Sequence, residues 1–395
     1  MSEWRQTRLD ALARPVNEVV DPRQLGSELV DHFSIPALDA TGGPATEPAS
    51  AIESNKQPLV GGEVLVSKLN PRKARVLSVP VEAERRMICS GEFIVLRPLG
   101  RSDKRFLEYL MLAESTRQLL DASVQSVTRS HQRVRPDVLT KLKVCVPSRE
   151  EQRVIAEYLD AETVRIDALI TKKRRMIELN SERLRSQIDA GMTPSAGDPS
   201  PPLSTVVQIA EGQVDPKQEP FVDMPLIAPN HIESSTGRLL DIETARSQGA
   251  ISGKYICDAG DVIYSKIRPA LRKVCLAPAR CLTSADMYPM RPIGDLSPEF
   301  LFYLLLSERF SDFAVMESER VAMPKINRDA FGRIRIPLPS LAVQKKVVER
   351  LGESRRWAEQ VNENLHRQIE LLAERRQALI TAAVTGELEI PGVAA

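Results

Sequence analysis

Few residues of this chain have the types and spacing that covalent chemistry requires. The four histidines, His32, His131, His231 and His366, show neither metal-site nor catalytic-triad spacing. The segment 249–255 contains a Gly-Lys pair, but its glycine spacing is wrong for a phosphate-binding loop and a tyrosine follows the lysine. We therefore predict no catalytic residue and no metal ligand, which is typical of a binding or assembly subunit.

Polar and basic residues recur in matching places of the two halves of the chain. Arg, Lys, Gln and Asn in loops are side chains that reach phosphates and base edges of DNA. Taken singly, each is also an ordinary solvated surface residue, and it is the recurrence that favours a DNA-binding role. The candidate DNA-binding residues are Lys68, Arg72, Arg129, His131, Gln132 and Arg133 in the first half, and Lys266, Arg268, Arg320, Lys325 and Asn327 in the second.

The overall composition excludes several classes of protein. The 395 residues carry 54 Lys+Arg against 53 Asp+Glu, so a uniformly basic nucleic-acid coat is excluded, whereas local basic faces are not. The longest apolar run, residues 300–306, is far shorter than the ~20 residues that span a bilayer. The beginning of the sequence lacks the apolar stretch of a signal peptide. We expect no membrane partner and a cytoplasmic location.

The five cysteines also fit a cytoplasmic location. They are odd in number and none forms a CxxC pair, which argues against a disulfide scaffold or a zinc ribbon. We predict that they are small apolar residues of the core. The five are Cys89, Cys145, Cys257, Cys275 and Cys281.

A long internal repeat organises the chain. Similar short segments occur in the same order in both halves, at sequence offsets that decrease from 198 to 194 to 192 residues. Because order is preserved, chance similarity of short apolar words is excluded, and the pattern indicates a duplicated half-molecule. The matched segments are 62–71 with 260–269, 97–100 with 291–294, 106–110 with 300–304 and 143–147 with 335–339, followed by Gln152 with Gln344.

Each half has the same plan, which predicts an α+β fold of two similar globular domains. Short β-branched runs bounded by Gly and Pro predict strands, and one amphipathic helix is expected in each domain, over 104–120 and 297–315. The predicted strands include 63–66, 93–96, 261–264 and 333–336. The predicted segments are a first domain over 1–147, a central long helix over 148–190, a linker over 191–202, a second domain over 203–339, a C-terminal long helix over 340–385 and a tail over 386–395.

The two long helices carry the periodicity of a coiled coil. Ser148 and Glu151 have the spacing of a capping box at the start of the first helix, and Gly191 and Pro194 end it. Leucines of the second helix recur every seven residues, which predicts a buried seam. The candidate coiled-coil or subunit-docking residues are Ile155, Leu159, Ile166 and Leu169, and Leu351, Leu365, Leu372 and Leu379.

The linker decides how the helices pair. Helices of ~40 residues are ~60 Å long, whereas 12 linker residues reach at most ~40 Å. Antiparallel pairing brings the end of the first helix close to the start of the second half, so a short linker suffices. We therefore predict an antiparallel coiled coil with a pseudo-twofold relation between the two domains.

A Pro-x₄₋₆-Gln…Leu-Asp…Ile-Asp-x-Leu-Ile pattern follows the first domain and returns, less completely, after the second. In this pattern the sequence resembles the specificity subunit of type I restriction-modification systems. The second copy departs at Val343-Gln344 and at Leu351-Gly352-Glu353, where Glu-Gln and Leu-Asp are usual. The residues are 144–160, Thr163, 166–170 and 177–179 in the first copy, and 336–344, 369–372 and 375–380 in the second.

This resemblance implies a non-catalytic DNA-specificity subunit. Each domain is then a target recognition domain that reads one half of a split site in double-stranded DNA, and the helices fix the spacer between the half-sites. The helices also dock two modification subunits, and through them the restriction subunits. No cofactor is expected on this chain, since S-adenosylmethionine belongs to the modification subunit, which methylates adenine.

Two alternatives remain open from the sequence. One is a structural adaptor whose duplicated domains bind protein partners without reading DNA. The other is a degenerate, solitary DNA methyltransferase.

Overall fold

The computed structural model describes residues 4–122, 133–318 and 324–393. The chain forms two compact units, and each long helix is divided between them. The N-terminal unit comprises Met1–Lys173 and Arg367–Ala395, and the C-terminal unit comprises Arg174–His366.

Two four-stranded sheets form most of the β structure described in the N-terminal unit. In spatial order, the first contains Ala13–Val16, Phe93–Pro98, Val64–Ser67 and Val76–Ser78, and the second contains Ala45–Pro48, Leu29–Phe33, Met87–Ser90 and Lys56–Leu59. Arg5–Arg8 pairs separately with Lys143–Val146, antiparallel. The helices of this domain are Ile35–Thr41, Lys104–Leu112, Glu114–Ala122 and Pro136–Thr140.

The C-terminal unit repeats this plan. In spatial order, its first described sheet contains Val207–Ile209, Met287–Pro292, Val262–Ser265 and Val274–Leu276. Its second described sheet contains Gln213–Val214, Lys254–Cys257, Cys281–Thr283 and Leu226–Ile227. Its domain helices are Pro298–Leu306, Glu308–Ser318 and Arg328–Arg333. The first sheet has the same strand order in both units. In the second sheet of both units, one inner strand pairs parallel with one neighbour and antiparallel with the other. The fourth strand is added at a different edge of this sheet in the two units. The α+β fold and the internal repeat are confirmed.

Three predicted elements differ from the observed ones. Each amphipathic helix is broken into two, at Ala113 and at Ser307, because the backbone there turns to extended ψ values near 141° and 149°. The strand predicted over 333–336 is reduced to an isolated bridge between Pro202 and Arg335. The N–H groups of Ile336 and Leu338 donate to the carbonyls of Pro201 and Pro199. These prolines have no N–H of their own to donate back, so the ladder of a regular strand pair is incomplete.

The same backbone hydrogen bonds pair part of the predicted linker with the C-terminal domain. The last part of segment 191–202 runs extended beside residues 334–338, as Arg5–Arg8 runs beside Lys143–Val146 in the other unit. Arg335 adds a side-chain hydrogen bond to the Ser200 carbonyl, 2.6 Å long. The second half of this segment is therefore part of the C-terminal domain.

The first long helix is Arg149–Gly191 and the second is Leu341–Thr385. The capping box at the start of the first is confirmed, since the Ser148 N–H donates to Glu151 Oε2 at 2.9 Å and Ser148 Oγ accepts from the Glu151 N–H at 3.4 Å. The Gln152 N–H continues the turn by donating to the Ser148 carbonyl. The sequence pattern therefore marks where this helix begins.

The long helices pair antiparallel within each unit. In the N-terminal unit, Arg376 donates to Asp167, whereas Lys173, further along the first helix, reaches Gln368, which comes earlier in the second. In the C-terminal unit, Asn180 donates to the Ala358 carbonyl at 3.1 Å, and Ile188 shares an apolar cluster with Leu351. The predicted antiparallel pairing is therefore present in both units.

The buried seam includes most, but not all, of the predicted apolar positions. Ile155, Leu159, Ile166, Leu351 and Leu365 are buried. Leu372 and Leu379 are half-buried. Leu169 is 42% exposed and lies outside the seam, where Ile170 takes its place. The reason is the step of four residues from Ile166 to Ile170, which keeps the side chain on the face that meets the other helix.

Four cysteines lie in the core as predicted, namely Cys89, Cys257, Cys275 and Cys281, whereas Cys145 is exposed. Cys145 sits on the strand Lys143–Val146, whose side chains alternate between buried and exposed. Its exposed place follows from the period of two along a strand.

Candidate nucleic-acid interface

A basic loop joins two distant parts of the sequence in the N-terminal unit. Lys68 directly follows the strand Val64–Ser67, and its carbonyl accepts a hydrogen bond from the Val134 N–H at 2.8 Å. Leu69 forms a β-bridge with Arg133. The fold thus brings Lys68 and Arg133, which belong to separate clusters of the sequence, to one edge of the first sheet, namely the edge where the strand Val64–Ser67 ends.

The charged groups of this loop are partly occupied. The Lys68 ammonium donates to the Gly91 carbonyl at 2.6 Å, and Arg133 pairs with Glu92 at 2.8 Å. The Arg72 guanidinium lies 3.4 Å from Asp121, although both residues keep considerable exposure. These cations are therefore held in place by neighbours rather than extended freely into solvent.

The C-terminal unit repeats the same loop with different side-chain contacts. The Lys266 carbonyl accepts from the Ile326 N–H at 3.0 Å, and Ile267 bridges Lys325. The Lys266 ammonium lies 5.5 Å from the centroid of the Tyr288 ring, within range of a cation–π contact. Lys266, Arg268 and Lys325 are thereby gathered at the equivalent edge.

A backbone feature marks this loop in both units. Asn70 has φ +51° and its counterpart Arg268 has φ +49°. This left-handed conformation is uncommon for residues other than Gly and is best tolerated by Asn and Asp. Arg268 is exposed, and no ion pair joins it to another residue of the described ranges. The fold thus holds an exposed cation in a strained turn of the C-terminal unit.

The other predicted DNA-binding residues have different places. Asn327 is exposed, but its Oδ1 caps the helix Arg328–Arg333 by accepting from the Ala330 N–H at 2.8 Å. Its side-chain oxygen is therefore committed to the fold, whereas its side-chain amide nitrogen makes no hydrogen bond among the residues that the structure describes. Arg129, His131, Gln132 and Arg320 lie outside the described residues.

Of the three histidines in the described part, His32 and His231 are buried, whereas His366 is exposed on the second long helix. His32 Nδ1 lies 2.7 Å from Glu47 Oε1, and His231 Nδ1 accepts from the Ala228 N–H at 3.0 Å. Burial lowers the pKa of His231. Within residues 4–122, 133–318 and 324–393, no three His, Cys, Asp or Glu side chains are grouped as metal ligands would be. No helix in that part of the chain combines the length and apolar character needed to cross a bilayer.

A buried lysine recurs in both units and was missed by the sequence analysis. Lys56 donates to Ser54 Oγ at 2.6 Å and to the Ser54 carbonyl at 2.8 Å, and Lys254 makes the same two bonds to Ser252. Burial lowers the pKa of both ammonium groups. Each lysine ties a turn to the strand that follows it. The sequence signal that could have identified these lysines is a Ser-x-Lys motif, which repeats at the same offset of 198 residues as the loop of Lys68.

Comparison with known proteins agrees with this architecture. Residues 203–371 match a family described as "Type I restriction modification DNA specificity domain". The chain is 29% identical over 289 residues to the EcoDI type I restriction enzyme specificity subunit of Escherichia coli, covering 65% of this chain and 64% of that relative. It is 29% identical over 111 residues to the StySPI specificity subunit of Salmonella potsdam, covering 28% of this chain and 24% of that relative. The matches thus span less than two thirds of either curated relative.

Solved structures have the same fold over nearly the whole chain. A chain from a study of complex assembly and conformational transition of the type I R-M system has a TM-score of 0.75, with 20% identity and 98% of both chains covered. The HsdS subunit from Thermoanaerobacter tengcongensis has a TM-score of 0.52, with 20% identity, covering 98% of this chain and 97% of that one. The resemblance predicted from the sequence is confirmed: residues 203–371 match the specificity-domain family, and the chain is similar in sequence to type I restriction-modification specificity subunits.

Proposed function

We propose that this chain is the DNA sequence-specificity subunit of a type I restriction-modification enzyme, and that it is not itself a catalyst. Each recognition domain binds one half of a bipartite site in double-stranded DNA. The paired long helices set the spacer between the half-sites and dock two modification subunits. S-adenosylmethionine is held by those subunits, and restriction subunits join through them.

The observation that carries this proposal is the duplicated basic loop. The same sheet edge presents Lys68 and Arg133 in one unit and Lys266, Arg268 and Lys325 in the other. Cationic side chains fixed by backbone pairing are suited to contact phosphates, and they make binding sensitive to salt. Two such surfaces on one chain fit a ligand that offers two sites, because linked binding raises the effective concentration of the second contact.

The long helices support the role of a ruler. Each is a single helix of 43 or 45 residues, roughly 65 Å at 1.5 Å per residue. Their pairing includes buried apolar positions in each unit, which resists a change of register. Exposed apolar side chains on the same helices, including Val164, Met176 and Trp357, give partner subunits an apolar surface to bind.

Mapping of methylated adenine in a host that expresses this chain with its modification subunit tests the proposal directly. We expect methylation at a split sequence with one fixed spacer. Inserting one heptad after Lys173 and another after His366 lengthens both helices by about 10 Å while keeping the seam in phase. At 3.4 Å per base pair, the preferred spacer should grow by about three pairs with unchanged half-sites. A spacer that stays fixed contradicts the ruler.

Domain exchange tests the modular part. Replacing residues 1–147 with the corresponding domain of another specificity subunit should alter one half-site only. A change in both half-sites contradicts independent reading by the two domains. The control is the equivalent exchange of residues 203–339, which should alter the other half-site.

Two outcomes would favour the alternative functions. If the chain binds its partner subunits but the complex shifts no DNA in a gel at low salt, the adaptor role is favoured. Ultraviolet crosslinking of radiolabelled S-adenosylmethionine to the isolated chain would favour a solitary methyltransferase. We expect a DNA shift by the complex and no labelling of this chain.

A further inference from the structure

One glutamine at the start of each long helix joins three segments of the chain. Gln152 Oε1 accepts from the Asp103 N–H at 2.9 Å, and its Nε2 donates to the carbonyls of Pro147 at 3.1 Å and Arg101 at 3.4 Å. Arg101 and Asp103 precede the domain helix Lys104–Leu112, and Pro147 lies in the turn that leaves the domain. A single side chain therefore ties the long helix to both.

The C-terminal unit repeats this network atom for atom. Gln344 Oε1 accepts from the Ser297 N–H at 2.9 Å, and its Nε2 donates to the carbonyls of Pro339 at 2.8 Å and Asp295 at 2.7 Å. Asp103 and Ser297 are both the N-cap residues of their domain helices. The glutamine thus satisfies the N–H of a residue whose side chain is already committed to capping.

Burial makes these bonds decisive for geometry. Gln152 is 1% exposed and Gln344 is fully buried, so water cannot replace a lost partner. Apolar contacts at the same junctions, such as those of Leu159 and Leu351, stabilise without fixing direction. Hydrogen bonds weaken steeply with misalignment, so three of them on one side chain define the angle between domain and helix.

We propose that Gln152 and Gln344 are positioning residues that set the angle of each recognition domain on its helix, and so fix which DNA spacer the protein accepts. This inference rests on the function proposed above. The glutamines touch no DNA. Their loss should therefore relax the choice of spacer and leave the half-site sequences unchanged.

The test uses the full chain with its modification subunit and plasmids carrying the mapped site, or that site with a spacer one base pair longer or shorter. We expect Gln152→Met with Gln344→Met to lower the ratio of methylation at the native spacer to that at the altered spacers by about five-fold. That is the equilibrium effect of about 1 kcal/mol, the net contribution of one such hydrogen bond. Gln360→Met, which removes an exposed glutamine of the second long helix, is the matched control and should leave the ratio unchanged.

Gln152→Met alone and Gln344→Met alone guard against loss of folding in the double variant. Each leaves the hydrogen bonds of the other junction intact, so we expect a smaller fall in the ratio. An unchanged ratio in folded variants, even with a lower melting temperature, would show that the glutamines only stabilise and overturns the inference. If the unaltered complex methylates no split site, the proposed function itself fails, before any variant is compared.

Discussion

The junctions between domain and long helix differ in the two units. In the N-terminal unit, Arg105 forms an ion pair with Asp160, and the Tyr109 hydroxyl donates to the same carboxylate at 2.7 Å. In the C-terminal unit, Tyr303 stands at the place of Tyr109, but Gly352 stands at that of Asp160. An ionic clamp is therefore present in one junction and missing from the other.

The difference separates what the fold requires from what one unit adds. Both junctions keep the buried glutamine and a fully buried leucine, whereas only the first has the clamp. In the second, Arg355 lies 5.1 Å from the ring centroid of Phe302, a cation–π contact at the same place in the junction. Burial raises the pKa of Tyr109 to about 12, so its hydroxyl remains a donor to Asp160 at neutral pH. The departures found in the second copy of the sequence thus have a local structural counterpart.

The largest expected effect tests what the junctions share. Leu351→Ala should lower the free energy of unfolding of the C-terminal unit by about 2–5 kcal/mol, because it leaves a cavity in a packed core. Hydrogen exchange, read by mass spectrometry on peptides of that unit, measures the change. Leu341→Ala, a 49% exposed leucine on the same helix, should change it by less than about 0.5 kcal/mol. Equal effects of the two substitutions would contradict the packing seen at this junction.

The next effect tests the clamp. Asp160→Ala removes the acceptor of both Arg105 and Tyr109 and should destabilise the N-terminal unit by about 1–2 kcal/mol, a modest value because the ion pair is partly exposed. Asp167→Ala removes a more exposed carboxylate on the same helix and serves as the control, with an expected effect below about 0.5 kcal/mol. A loss of stability no greater than that of the control would mean that the clamp contributes nothing.

Much of the architecture could be predicted from the sequence, because periodicity and order carry it. The heptads of the second helix, the capping box at Ser148 and the repeat indicated two domains with paired helices. The breaks at Ala113 and Ser307 could not be predicted, because no Gly or Pro marks them and the helix pattern continues across. The sequence could not separate Leu169 from the buried seam, because residues 166, 169 and 170 all fit an apolar stripe until the position of the other helix is known.

The candidate site was less predictable than the fold. Lys68 and Arg133 were both identified by residue type, but their meeting at one sheet edge depends on a bridge between distant segments. Gln152 and Gln344 were matched by the repeat, yet their role needs three partners that are not adjacent in sequence. Long-range hydrogen bonds of this kind leave no period in the sequence.

A smaller effect compares the two basic loops. Arg268→Asn gives the C-terminal loop the residue that the N-terminal loop has at this place, in a backbone conformation that Asn tolerates better. DNA binding by the complex should weaken by about five-fold for all sequences, and the salt dependence should lose about one unit of slope, as for a phosphate contact. Filter binding over a series of salt concentrations measures both. Arg280→Asn, an arginine whose guanidinium lies 3.7 Å from Asp258 on the same unit, is the control and should change neither. A loss confined to one half-site sequence would instead assign Arg268 to base readout.

The smallest effect concerns Gly352 itself. Glycine inside a helix costs about 1 kcal/mol relative to alanine, because its backbone loses more freedom on folding. A Cβ at this position would meet Arg356 Nη1 at 3.4 Å and the Tyr303 hydroxyl at 3.8 Å, so a methyl group fits. Gly352→Ala should therefore raise the free energy of unfolding of the C-terminal unit by about 0.5–1 kcal/mol, measured by hydrogen exchange. Gly237→Ala is the contrasting variant, since its Cβ would lie 2.5 Å from Phe302 at a φ of +68°, and it should destabilise the same unit. If Gly352→Ala destabilises as well, the second junction needs the glycine for close packing, and the missing clamp is a requirement of that junction rather than a loss.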